Sequence, residues 1–175
     1  MKKIRLRLSR ILKKRPLVCL TANNIYTAET LDNKPFKVYT LLGDGELSEG
    51  SIWESLLSAS KYKLDNLVII IDRNGLQITG KTEEVNPIEP LIDKFLSFGL
   101  NIQEVNGNSV SELNKVFNEI PFNNKQPSLI IANTIKGKGV SFIENQVVWH
   151  HKLPSDEEYN KAIKELDIQL ENLLW

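Results

Sequence analysis

The sequence predicts an α/β fold, a mostly parallel sheet with helices on both faces. Three observations predict it. From about residue 36 onward, β-rich runs alternate with stretches of helical periodicity, the pattern that builds strand–helix–strand units. Two runs, LVIII at 67–71 and SLIIANT at 128–134, are almost continuously apolar, as strands covered on both faces are. Three polar, glycine-rich segments each follow a strand directly. In such sheets ligands sit outside the carboxyl ends of the strands, so all three segments fall on the edge where a site belongs.

The elements follow in order. FKVYTLL at 36–42 reads as the first strand and ends at Gly43. Residues 50–62 read as a helix with Trp53, Leu56, Leu57 and Ser60 on one stripe. LVIII is the second strand, bounded by Asp65-Asn66 and Asp72. Residues 88–99 form a second helix, with Leu91, Ile92, Phe95 and Leu96 apolar. A weaker strand spans 101–105. Residues 109–120 form a helix with Ser109 or Ser111 as N-cap and Leu113, Val116, Phe117 and Ile120 apolar. After the strand at 128–134, the last helix spans 155–174, where Ser155 and Glu158 make a capping box behind Pro154.

Composition sets the outer bounds. The 175 residues are 41% apolar and 25% charged, ordinary for one soluble domain. No apolar stretch approaches the ~18 residues of a membrane span. One cysteine, Cys19, excludes an internal disulfide framework and a cysteine zinc site, and two histidines, His150 and His151, exclude a histidine-rich metal cluster. A reduced, cytoplasmic setting is expected. The net charge of zero hides an asymmetry. Residues 1–16 carry Lys2, Lys3, Arg5, Arg7, Arg10, Lys13, Lys14 and Arg15 with no acid, and the first acid is Glu29. The remainder is acidic, which disfavours nonspecific nucleic-acid binding by the body. For the head, a solvated tail, a basic amphipathic helix with Ile4, Leu8, Ile11 and Leu12, and a transit peptide all stay open.

The chemistry comes from the three loops. Gly43 and Gly45 flank Asp44, so backbone can pass close to a ligand and offer N–H groups. The helix that begins near Glu49–Ser51 favours anions at its N-terminus. Asp44 offers a carboxylate, Asn74 an amide oxygen and Leu76 a backbone carbonyl. Mg²⁺ takes oxygens in octahedral geometry and draws part of its shell from phosphate. The bottom-up reading is therefore a Mg²⁺–diphosphate site. No GxxxxGK[ST] loop is present, which disfavours an ordinary nucleotide triphosphatase. An EF-hand register on GDGELSEG fails, because Thr40, Leu42 and Ser51 would stand where acids are needed. Glu49 and Glu54 also suit plain helix-start charges. A half-buried histidine beside Trp149 is the ordinary account of His150.

GDGELSEGSIWE, followed by KLDNLVIIIDRNGLQITGKT and then by TIKGKGVSFIEN and VVWHH, resembles the diphosphate-binding half of transketolase, and in particular the small N-terminal subunit of two-chain transketolases. Asn74 follows Asp44 by 30 residues, the general thiamine-diphosphate spacing in that resemblance. The likeness covers about residues 31–175, leaving 1–30 as a basic, non-family segment.

The resemblance implies that Asp44, Asn74 and the Leu76 carbonyl hold Mg²⁺ and that Gly43, Gly45 and Glu46 line thiamine diphosphate. It implies that Glu49 sits at a subunit interface within the acid network that activates the cofactor, and that His150 lies near diphosphate and substrate. His151 stands where the family usually has Gly, and Arg73 where it has Asn or Asp. The implied reaction transfers a two-carbon ketol unit between sugar phosphates, as in the pentose phosphate pathway. A separate C-terminal subunit would supply the pyrimidine-binding domain, in a dimer or heterotetramer. The family's upstream His-bearing segment and G-x-L-G-Q-G loop have no counterpart in 1–30, so the favoured expectation is a shortened domain whose first residues are out-of-frame translation, with a genuine variant carrying a replaced N-terminus as the other. The alternatives are a non-catalytic remnant and another thiamine enzyme. Of these, deoxyxylulose-phosphate synthase stays open, while the ELSEG–WE block argues against a 2-oxoacid dehydrogenase.

Overall fold

The computed structural model describes residues 37–173. The basic head and the start of the expected family segment, 1–36, lie outside the described residues. Four parallel strands form the main sheet in the order β1-β2-β6-β5: β1 (Val38–Gly43), β2 (Leu67–Arg73), β5 (Asn101–Asn106) and β6 (Ser128–Asn133). A two-stranded antiparallel ribbon, β3 (Leu76–Gln77) with β4 (Gly80–Lys81), stands beyond the end of β2.

The helices cover both faces, as the alternation predicts. Between β1 and β2 runs α1 (Gly50–Lys61). Between β4 and β5 run α2 (Thr82–Val85) and α3 (Leu91–Ser97). Of these, α1 and α3 pack on one face, where Leu42, Ile69, Ile71, Leu129 and Ile131 meet Ile52, Leu56, Leu91 and Phe95. Trp53 stacks on Phe95 at 5.3 Å and donates its indole N–H to the Leu47 carbonyl. Helix α4 (Val110–Asn118) lies on the other face, where Val116 and Ile120 join Val68 and Ile130. The strand order explains the sides. Travel from β1 to β2 and on to β5 runs one way along the sheet, and the step from β5 back to β6 reverses it. With right-handed crossovers, reversing direction moves the connecting helix to the opposite face.

Several local expectations hold. The Ser109 side chain accepts the Glu112 backbone N–H, making Ser109 the N-cap of α4. The capping box at Ser155 and Glu158 is formed in both directions and starts α5 (Asp156–Leu173). Two helical stripes need correction. The buried stripe of α1 is Ile52, Leu56 and Ala59, with Leu57 exposed; in α3 Leu91 and Phe95 are buried while Ile92 and Leu96 are exposed. The expected 88–99 helix shrinks to Leu91–Ser97. Pro90 biases the preceding residue away from helical backbone, and Gly99 ends the turn at a φ of +81°. The ribbon and α2 have no counterpart among the expected elements, because two-residue strands and a single helical turn carry no periodicity. Among the described residues no helix is long and apolar enough to cross a membrane.

Candidate functional site

The strand register sets the site. Gly43 of β1 pairs with Asp72 of β2, and Asp72 pairs with Ala132 of β6. The loops that leave these strands therefore start at one level of one sheet edge. From β1 the chain turns through a short 3₁₀ segment, Asp44–Ser48. Glu46 curls back so that its carboxylate accepts the Gly43 backbone N–H at 2.7 Å.

Asp44 is the centre of the arrangement. It is 1% exposed, and its carboxylate reaches across to the loop after β2. The Gly75 N–H donates to its Oδ2 at 2.7 Å, the Thr82 hydroxyl donates to its Oδ1 at 3.2 Å, and Arg73 Nη1 donates to Oδ2 at 2.9 Å. Gly75 supplies its N–H from a φ of +74°, a left-handed conformation that glycine adopts without strain. Arg73 continues to Glu83 and Glu89 through Nη2, at 2.7 and 3.1 Å. Burial works against the guanidinium charge. Hydrogen bonds to Asp44 and Glu89 and the charges of Asp44 and Glu83 more than offset it, so its pKa lies above the usual value.

Asn74 lies beside Asp44 in the next loop. Its Oδ1 accepts the Leu76 N–H at 3.0 Å, and its amide donates to Asp72 at 3.2 Å. Asp72 in turn accepts a hydrogen bond from the Thr134 hydroxyl, tying in the loop after β6. Gly45 faces the ribbon. A Cβ there would stand 3.0 Å from that of Gln77, so the bare Cα lets β3 pack against the Asp44 turn.

The third loop and His150 join the same neighbourhood. The 3₁₀ turn Val147–His150 packs beside β3. Trp149 fixes it by donating to the Phe142 carbonyl at 3.2 Å. Desolvation, together with the charges of Lys136 and His151, holds His150 below its usual pKa of 6.5. Its ring lies 4.7 Å from that of His151. Glu49 is exposed at the N-cap of α1 and makes no side-chain cap there.

The residues present suit a divalent cation. A carboxylate this deeply buried calls for positive charge beside it. Asp44 has about four acceptor positions and uses three, and an amide oxygen such as that of Asn74 has two lone pairs. Among the described residues no three His, Cys, Asp or Glu side chains gather as a metal nest. A cation here would draw on one carboxylate, an amide, a carbonyl and its ligand's own oxygens. Sequence reasoning named Asp44, Asn74 and the Leu76 carbonyl as candidates, and the structure sets Asp44 against the Gly75 N–H between the other two. Sequence reasoning missed Thr82 and Asp72, and noted Arg73 only as a departure from the family pattern. A threonine opening a short helix carries no signal that it faces a carboxylate 38 residues earlier.

Comparison with known proteins gives a consistent result. Residues 19–170 match the family described as transketolase, thiamine diphosphate binding domain, a match that begins upstream of the expected boundary at residue 31. The apulose-4-phosphate transketolase subunit of Phocaeicola vulgatus is 45% identical over 146 residues, which is 83% of this chain and 52% of that protein. The 6-deoxy-6-sulfo-D-fructose transketolase subunit of a Clostridium species is 39% identical over 80% of this chain and 51% of its own. The crystal structure of transketolase from Campylobacter jejuni superposes with a TM-score of 0.70 at 31% identity, over 78% of this chain and 21% of that one. The chain spans about half the length of the subunit-type relatives it matches. By the extent of these matches, the chain belongs to the transketolase thiamine diphosphate binding domain family.

Proposed function

We propose that this chain is the diphosphate-binding part of a transketolase that moves a two-carbon ketol unit between sugar phosphates. It would act in the cytoplasm, as in the pentose phosphate pathway, with a separate C-terminal subunit that supplies the pyrimidine-binding domain. The pair would assemble as a dimer or heterotetramer. The observation that carries the reading is the hydrogen bond from the Gly75 N–H to the Asp44 carboxylate. It joins the ends of β1 and β2 so that a buried carboxylate stands beside the Asn74–Leu76 backbone in a chain of this family.

In this reading Asp44, the Asn74 amide oxygen and the Leu76 carbonyl hold Mg²⁺. The backbone of Gly43 and Gly45, with Glu46 closing the turn, lines the diphosphate of thiamine diphosphate. When bound, that cofactor supplies the nucleophilic thiazolium carbon that ketol transfer needs. This chain's own residues bind and orient. Thr82 and Gly75 fix the carboxylate rotamer, and Asp72 holds the Asn74 amide so that its oxygen faces the loop. His150, whose pKa desolvation and the nearby charges of Lys136 and His151 hold below the usual value, can accept or return a proton near the diphosphate and substrate. Glu49, exposed at the start of α1, faces the partner and takes part in the acid network across the interface.

The test is calorimetric titration of thiamine diphosphate, with Mg²⁺, into the full chain. The expected result is saturable, metal-dependent binding that Asp44→Ala abolishes. Ketol transfer should then appear on adding the partner subunit, with sugar phosphates as donor and acceptor. A folded chain that binds no cofactor with the partner present would overturn the reading.

A further inference from the structure

The candidate cation site already holds a cation of the chain's own. Arg73 is 14% exposed and spans the gap between the buried Asp44 carboxylate and two outer carboxylates, Glu83 and Glu89, which are 38% and 53% exposed. The planar guanidinium divides its donors. Nη1 serves Asp44 alone, and Nη2 serves both glutamates. Giving up Asp44 would therefore cost only one arm of the fork, and the outer arm would keep its partners.

Two physical demands meet at Asp44 Oδ2. Without positive charge nearby, a carboxylate that is 1% exposed would be costly to keep ionised. With a divalent cation at the same oxygen, a guanidinium 2.9 Å away would be repelled and would occupy the coordination position. Both demands are met if one charge replaces the other.

Resting on the Mg²⁺ reading above, we propose that Arg73 is a tethered counter-ion for Asp44. It neutralises the carboxylate when no metal is bound and yields that contact when a divalent cation arrives, held meanwhile by Glu83 and Glu89. Arg73 is thus a positioning residue that sets metal affinity. It keeps the metal-free loop pair assembled, and it makes metal loading a displacement rather than an addition. A purely structural ion pair would behave differently, because its loss would loosen the loops and leave metal binding weaker or unchanged.

The experiment titrates thiamine diphosphate into the full chain at graded Mg²⁺ concentrations and reads the Mg²⁺ concentration at half-maximal binding. Melting in chelator is read alongside. For Arg73→Gln the midpoint should fall on the order of tenfold, since a competing charge is gone, while the melting temperature in chelator drops. Gly75 and Thr82 still hold Asp44 in that variant. Arg73→Lys, a point charge without the fork, should fall between the two and guards against a folding defect in the first variant. Asp44→Asn should abolish the metal dependence. If Arg73→Gln leaves the midpoint unchanged or raises it while Asp44→Asn abolishes binding, the counter-ion role is overturned and the site reading stands. If neither the unaltered chain nor Arg73→Gln binds in a metal-dependent way, both fall together.

Discussion

The two faces of the sheet are built from similar residues and end in different conditions. On the face carrying α1 and α3, Leu42, Leu56 and Phe95 are fully buried. On the face carrying α4, Tyr39 and Leu41 of β1 are 49% and 62% exposed, although both belong to the same strand as Leu42. The difference lies in chain direction. Among the described residues, two forward crossovers place helices on the first face, and one reversed crossover carries α4 onto the second, where Phe117 meets Tyr39 edge-on at 6.1 Å but leaves Leu41 uncovered. Coverage of an apolar strand thus depends on which way the next connection travels. Strand composition alone does not report it.

Substitutions can sharpen or break that comparison. Phe95→Ala should cost about 3–5 kcal/mol in urea unfolding, the range for removing a buried aromatic ring. A loss under about 1 kcal/mol would show that the α3 face is not the anchored one. Val116→Ala, under α4, should cost about 2 kcal/mol, from two lost methyl groups and the cavity left behind. Leu41→Ala should stay within about 0.5 kcal/mol, as exposed positions do. A large loss at Leu41 would mean that something covers the second face in solution. The smallest effect concerns His150. Its folded pKa is depressed, so the unfolded chain takes up the proton first as pH falls. The stability linked to its neutral form is present above 6.5 and is lost as pH drops through that value toward the lower folded one. His150→Gln should flatten that acid limb of the melting-temperature profile.

Much of this was legible in the sequence, for physical reasons that differ by element. LVIII and SLIIANT are read as central strands because burial on both faces demands unbroken apolar runs, and they became β2 and β6. Ser109 and the Ser155–Glu158 pair are legible because helix starts have local chemistry. Loop placement and the family resemblance singled out Asp44 and Asn74 as candidate metal ligands, and the structure brings their two loops together through the Gly75 N–H. What escaped was tertiary. Leu57 and Ile92 are apolar at helical spacing yet exposed, because a helix on a flat sheet buries a narrower stripe than periodicity suggests. The Arg73–Asp44 contact joins residues 29 apart, and charge pairing at that distance has no sequence signature.

The hydrogen bonds that hold Asp44 reach 31 residues to Gly75 and 38 to Thr82. No single hairpin or helix contains the site, so its formation waits on a loop closure whose entropy must be met first. A chain emerging from synthesis has no competent pocket until β2 has been made and aligned against β1. From that moment a ligand specific for the folded form adds stability that grows with its concentration. Occupancy of the proposed site would therefore be a readout of maturation, separating chains that have joined β1 to β2 from those that have not.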